Sequence, residues 1–278
     1  MNIWQHLPEH IDPVIFSLGS FVFHWYALCF LLGLFFAFSG ALLLKKHFHI
    51  SLLREEVLDL FLSLFLGAIV GGHLGYALFY SREIFLSQPV SFFLPYDTVT
   101  HSWRSLSGMS FHGGLLGVIL VLGIVARKKN VSFLALADLA SLVAPIALFF
   151  GRIGNFLALE LYGRRTASPL GMIFPEGGSD PRHPSQLYEA LGEGVCLFFI
   201  LFFLRKKCSS PGQLSALFIV GYSSIRFGIE FFREPDPGID LLFGWLTRGQ
   251  LFSSLMGVAG FLFFLWLKQK NRARMEGL

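Results

Sequence analysis

Seven long apolar runs, parted by more polar segments, set the pattern of this chain. They cover residues 20–44, 57–80, 106–126, 133–157, 187–204, 214–232 and 251–267. Each falls within the range of about 17–25 residues that a helix needs to cross ~30 Å of hydrocarbon. A further apolar piece, residues 84–95, holds Pro89 and Pro95 and is too short to span, so it is expected in the interface. No repeat, low-complexity tract or linker interrupts the series. The pattern predicts an all-α polytopic membrane protein of about seven transmembrane helices, organised as one domain over residues 1–278.

Composition agrees. Hydrophobic residues make up 54% of the chain and charged residues 14%, against roughly 25% charged in ordinary soluble domains. Cys29, Cys196 and Cys208 show no C-x-x-C or histidine spacing and read as small core residues, neither a disulfide framework nor a metal site. Residues 1–20 carry no Lys or Arg. They therefore lack the basic region of a signal peptide, and the first run is expected to remain as a membrane helix. The glycines form neither a P-loop nor G-x-G-x-x-G, so no nucleotide cofactor or nucleic-acid partner is expected.

The lysines give direction. Lys45, Lys46, Lys128, Lys129, Lys206, Lys207, Lys268 and Lys270 all follow runs one, three, five and seven. The opposite connections hold only arginines: Arg82, Arg104, Arg164, Arg165, Arg182, Arg233 and Arg248. The positive-inside rule then predicts an outer N-terminus and a cytoplasmic C-terminus. At ~1.5 Å per residue, this places His24 and Tyr26, His112, Arg152 and Asn155, and Arg226 and Glu230 toward the outer face. The opening of the fifth run, His183-Pro184-Ser185-Gln186-Leu187-Tyr188-Glu189, joins them. Asp138, near the inner end of the fourth run, is the exception. The expectation is a polar cavity open to the outer leaflet.

Charges inside a membrane are costly and are kept where they meet partners, water or a ligand. Arg152 and Asn155 lie at i, i+3, and a continuing helix would return Gly163 to the same face. Arg226, Glu230 and Arg233 form one stripe, and Glu230 by itself reads as the structural partner of an arginine. Arg152 and Arg226 together need about two negative charges, with only Glu160 and Glu230 counted as near. A phosphate would complete that balance, and guanidinium matches its oxygens. His112, followed by Gly113 and Gly114, stands either as a packing residue or as a general base to which the glycines admit a ligand or a helix. His24-Trp25-Tyr26 fits an interfacial aromatic belt, with Tyr26 open to either role.

The motif Gly151-Arg152-Ile153-Gly154-Asn155-Phe156-Leu157-Ala158-Leu159-Glu160-Leu161-Tyr162-Gly163 resembles the signature of the prolipoprotein diacylglyceryl transferases. His24-Trp25-Tyr26, Ser110-Phe111-His112-Gly113-Gly114, the 183–189 segment and Arg226 with Phe231-Phe232-Arg233-Glu234-Pro235-Asp236 agree in order and spacing. The chain departs from the family at Ala158, where asparagine is usual, and at His73, where arginine is usual.

The resemblance implies transfer of the diacylglyceryl group of phosphatidylglycerol to the thiol of a lipobox cysteine in a preprolipoprotein. The products are a thioether and glycerol 1-phosphate, without metal or cofactor, at the outer face of the bacterial cytoplasmic (inner) membrane. On this reading Arg152 and Arg226 hold the phosphodiester and Asn155 bonds a phosphate or ester oxygen. Gly163 leaves room for backbone or lipid, and Tyr26, Glu230 and His73 border the substrate. His112 accepts the thiol proton, or Glu160 does.

A lipid or anion transporter or flippase lined by the arginines is the main rival, although no inverted repeat is evident. Ser110 and His112, two apart on one helix, point different ways and make a poor protease pair. A lipid-binding scaffold without chemistry is the third alternative.

Overall fold

The computed structural model describes residues 3–19, 21–79, 96–97, 102–103, 109–234 and 246–275. Residues 84–95, Arg82, Arg104, residues 106–108, Pro235 and Asp236, all invoked above, lie outside the described residues.

A short antiparallel hairpin, β1 (Val14–Leu18) and β2 (Phe21–His24), precedes helix α1 (Trp25–Leu44). The helices that follow are α2 (Arg54–Phe79), α3 (Phe111–Lys128), α4 (Phe133–Leu157), α5 (Ser185–Leu204), α6 (Gln213–Ile229) and α7 (Arg248–Met275). Two-residue strands β3 (Tyr96–Asp97) and β4 (Ser102–Trp103) pair between α2 and α3.

Among the described residues each of the seven runs carries a helix. Among the described residues five helices are long and apolar enough to cross a membrane: Trp25–Phe48, Arg54–Leu78, Phe133–Leu157, Ser185–Leu204 and Arg248–Ala273. α3 and α6 are shorter, at 18 and 17 residues. The protein is an all-α, multi-pass membrane protein.

Two boundaries differ from expectation. The first helix begins at Trp25 because residues 21–24 pair with β1. The sixth ends at Ile229 and turns, because Glu230 is drawn into ion pairs with both Arg226 and Arg233.

The chain forms two compact units, Met1–Phe48 with Ala137–Leu278, and His49–Leu136. In the first, polarity is inverted relative to a soluble protein. Leu31, Phe35, Phe199, Phe203, Phe261 and Leu262 are exposed, while Asp138, Asn155, Gln186, Glu189, Glu193 and Glu230 are buried. An apolar exterior around a satisfied polar interior is what hydrocarbon solvent selects. Leu142, Leu197, Leu201 and Leu214 form a packed core among α4, α5 and α6.

Asp138 has a structural explanation. One carboxylate oxygen accepts the Gly212 N–H at 2.7 Å, and the other accepts both Ser215 N–H and Ser215 Oγ at 2.7 Å. It caps α6 from a neighbouring helix, supplying acceptors that the first turn lacks.

In the second unit α2 and α3 pack through glycines. A Cβ on Gly117 would fall 2.0 Å from the Gly67 carbonyl oxygen, and one on Gly113 would fall 2.2 Å from that of Gly71. Small residues that let backbones touch are a means of helix association in lipid. Gly113 therefore serves helix contact, one of the two roles left open for it. Gly117→Ala is expected to destabilise this helix pair by about 1–3 kcal/mol through overpacking, read as a lower unfolding temperature in detergent. Gly123→Ala, where nothing lies within 4 Å, should leave that temperature unchanged.

Candidate active site

The segment after α4 turns sharply. Leu159 and Leu161 both adopt left-handed backbone, with φ of 60° and 58°, at a cost of about 1–3 kcal/mol for each non-glycine residue. The start of α5 holds this loop. Gln186 Nε2 donates to the Glu160 carbonyl at 2.6 Å, and Ser185 Oγ donates to the Leu161 carbonyl at 3.0 Å. Leu159 and Tyr162 pack against Phe156, Met172 and Phe174.

The chain then runs extended, and the Gly163 N–H donates to the His183 carbonyl at 2.8 Å. A Cβ at Gly163 would lie 2.2 Å from the Phe232 carbonyl oxygen, so only glycine admits that approach. The expectation that a continuing helix brings Gly163 to the Arg152 face is corrected: α4 ends at Leu157, and Gly163 belongs to a bridge with Arg233.

The polar centre lies on α4, α5 and α6. α5 is α-helical over Ser185–Glu189, π-helical over Ala190–Cys196, and α-helical again over Leu197–Leu204. π-turns within helices are frequent at functional sites. Glu189 stands at the junction and Glu193 inside the wide turn. Arg152 Nε lies 2.8 Å from Glu189 Oε2, and Arg152 Nη2 lies 3.3 Å from Glu193 Oε2. Arg226 Nη1 lies 2.8 Å from Glu189 Oε1, and Arg226 Nη2 lies 3.3 Å from Glu230 Oε2. Arg233 Nη1 also reaches Glu189 Oε1, and its Nε is 3.6 Å from Glu230 Oε2. Glu230 further accepts from Thr247 Oγ1 at 3.1 Å.

The charge count drawn from the sequence is therefore corrected. Glu160 does not pair with the arginines; it accepts from Asn155 Nδ2 at 2.7 Å. The balancing carboxylates are Glu189, Glu193 and Glu230, three against Arg152, Arg226 and Arg233. In the sequence Glu189 stands out only within the polar opening of the fifth run, and Glu193 is not singled out. Their signal was present in the sequence: two glutamates at i, i+4 in an apolar helix.

Exposure distinguishes a ligand site from a sealed knot. The side chains of Glu189 and Glu193 are 0% exposed, whereas those of Arg152 and Arg226 are 19% and 18% exposed. The carboxylates are buried against the guanidiniums and fix them, while the two arginine side chains stay partly accessible. Fixed cations with an open edge suit an anionic group whose charge grows during reaction.

Tyr26 belongs to the same unit. A Cβ on Gly154 would lie 3.1 Å from Tyr26 Cδ2, which sets the phenol ring against the signature helix. Tyr26, Arg152, Asn155, Glu160, Gly163, Arg226 and Glu230 thus fall in one unit. His73, buried on α2, and His112, exposed in the first turn of α3, fall in the other. His183, passed over as a reactive group, has Nδ1 3.1 Å from the Tyr188 hydroxyl and its ring against Phe232. Burial holds its pKa below the ordinary histidine range.

The profile of the family described as prolipoprotein diacylglyceryl transferase matches residues 13–266. A Geobacter sulfurreducens protein named phosphatidylglycerol–prolipoprotein diacylglyceryl transferase is 45% identical over 251 residues, 90% of this chain and 93% of its own. Proteins of the same name from Vibrio parahaemolyticus and Chlorobaculum tepidum are 43% and 41% identical. They cover 94% and 96% of this chain and 93% of their own length in each case.

Two expectations follow from the geometry. Glu189→Gln removes the carboxylate that Arg152, Arg226 and Arg233 share and leaves Glu193 and Glu230 against three cations. It is expected to destabilise the protein by about 3–5 kcal/mol, as loss of one partner in a buried pair does. Glu234→Gln, at the half-exposed pair with Arg182, should change stability by less than about 1 kcal/mol; thermal unfolding in detergent compares them. His183 is held neutral in the fold, so its contribution to stability is complete above its unfolded value. That contribution is lost as pH falls through ~6.5 and on through the lowered folded value. Proteolysis of the 163–183 segment should accelerate across that window in wild type and lose this acceleration in His183→Phe.

Proposed function

Because the chain belongs to the prolipoprotein diacylglyceryl transferase family, we propose that its reaction is centred on the arginine cluster just described. The enzyme is a lipoprotein diacylglyceryl transferase. Its donor is phosphatidylglycerol, and its acceptor is the lipobox cysteine of a preprolipoprotein carrying a signal peptide. The products are a thioether-linked diacylglyceryl protein and glycerol 1-phosphate. The whole chain acts as one transferase domain in the bacterial inner membrane, with the N-terminus outside and the C-terminus cytoplasmic, as the lysine placement supports.

The chemistry requires a thiolate, since the free thiol, of pKa ~8.5, is a weak nucleophile. Sulfur attacks the glycerol carbon of the diacylglyceryl group while the carbon–oxygen bond to phosphate breaks. The electron pair of that bond leaves with the phosphate. Arg152 and Arg226 stabilise the leaving group as its charge grows. Asn155, three residues from Arg152 on α4, bonds a phosphate or ester oxygen, and doing so draws its amide from Glu160. Glu230 positions Arg226. Tyr26 borders the lipid, and Gly163 keeps the loop close to Phe232 and His183. His112 is the first choice for the base that takes the thiol proton, with Glu160 the second. His73 stands in the family's arginine position as a donor to the substrate.

The observation that carries this reading is the asymmetry of the cluster, in which fully buried carboxylates pin arginine side chains that stay partly accessible. Electrostatic preorganisation of this kind spares the site the reorganisation that mobile cations would need.

Arg226→Lys keeps the charge and loses the planar fork. Transfer from phosphatidylglycerol to a lipobox peptide by the purified variant is expected to fall about 10- to 100-fold, the worth of a charge-assisted hydrogen bond of about 1.5–3 kcal/mol. Near-normal transfer would remove Arg226 from the reaction. Lipid flux without any covalent product would favour the transporter reading.

A further inference from the structure

A second polar feature of the first unit lies away from the arginine cluster, where the lysine-bearing end of α5 meets α6 and α7. It is a cavity of about 630 Å³ with an apolar floor of Leu204, Leu217 and Phe264 and a rim carrying Lys207, Lys268 and Arg272. The three cations are exposed and the floor is partly buried. No acidic residue is among the described lining. Lys207 and Lys268 form no ion pair among the described residues. Asp138, the carboxylate whose charge is felt at neighbouring Cys208, is already engaged in capping α6.

The level of the cavity can be read from α7. Exposed Trp266 carries Lys270 Nζ 4.9 Å above its ring, and both lie within a turn of Lys268. Aromatic rings and snorkelling lysines mark the boundary between acyl chains and headgroups. Toward the middle of α7, exposed Phe261 and Leu262 face hydrocarbon. The rim thus sits at headgroup height and the floor at the height of the first methylenes.

We infer that this cavity binds an anionic phospholipid from the leaflet on the lysine-bearing side, the phosphate among Lys207, Lys268 and Arg272 and the acyl chains on Leu204, Leu217 and Phe264. Basic pockets between helices at this level recognise anionic headgroups. A free phosphate shares the headgroup chemistry and leaves the apolar floor in water. Cys208 also lines the cavity, with its thiol pushed up to about 11 by burial and by the Asp138 charge. It stays protonated, so the site holds lipid without a nucleophile.

The test uses the purified full chain in detergent, titrated with phosphatidylserine and, separately, phosphatidylcholine, with bound lipid counted by native mass spectrometry. Phosphatidylserine is anionic and is not the donor named for the relatives, and no transfer step is read, so failure of the proposed reaction leaves the outcome intact. Wild type is expected to retain one more phosphatidylserine than the double variant Lys207→Gln/Lys268→Gln, and to take it in preference to phosphatidylcholine. The double variant, which leaves the arginine cluster untouched, should bind it roughly 30-fold more weakly. Lys206→Gln, at a residue outside the lining, should match wild type and so controls for loss of charge alone. Equal retention by the double variant and wild type would overturn the inference. So would equal retention of phosphatidylcholine, or displacement of phosphatidylserine by millimolar inorganic phosphate.

Discussion

Glu189 is a carboxylate with no exposed surface, and guanidiniums from three stretches of chain converge on it: Arg152 from α4, Arg226 from α6 and Arg233 from the turn beyond α6. In a low-dielectric interior one buried charge without partners is prohibitive, and so are three cations without anions. The elements that carry these groups must therefore come together, and come together in one arrangement. The surrounding sequence serves that meeting. Ser185 and Gln186 tie the start of α5 to the loop that ends the signature. Glu193 adds a second carboxylate behind Arg152, and Glu230 a third behind Arg226.

The contrast between Asp138 and the arginine cluster shows how a polar residue inside a membrane protein can be sorted. Asp138 is buried, and both its oxygens accept from donors at the start of α6; it is committed to capping that helix. Arg152 and Arg226 are also paired, but their pairing is one-sided. Salt bridging alone does not divide structure from function here. The division lies in whether the paired group still presents an edge.

Much of this was legible from residue order. The seven helices follow from hydropathy because lipid demands apolar exteriors of fixed length. Arg152, Asn155 and Arg226 stood out because charge and amide groups at depth need a reason. What stayed hidden had local causes that composition does not encode. Leucines at 159 and 161 carry no preference for left-handed backbone, so the turn after Leu157 could not be read from them. Phe21–His24 is as apolar as the helix it precedes, and pairing with β1 alone decides its state. Glu189 and Glu193 were visible, but an apolar run ordinarily signals burial without partners, and their pairing depends on two other helices. The role of Gly113 became clear only when Gly71 was found against it.

The π-helical stretch in α5 has a consequence for how this protein can change. A widened turn of this kind amounts to one surplus residue inside a helix. Removing a residue between Ala190 and Cys196 would let the backbone relax into ordinary α geometry and leave the flanking helix near its present rotational phase, because the wide turn already absorbs the surplus residue. Leu197 and Leu201 would then keep their core contacts and Glu189 its arginines, and the change would fall on Glu193, which stands inside the wide turn behind Arg152. Lineages carrying this helix are thus expected to vary freely in side chain along its lipid face, and to shorten through its middle only where the arginines are balanced without Glu193.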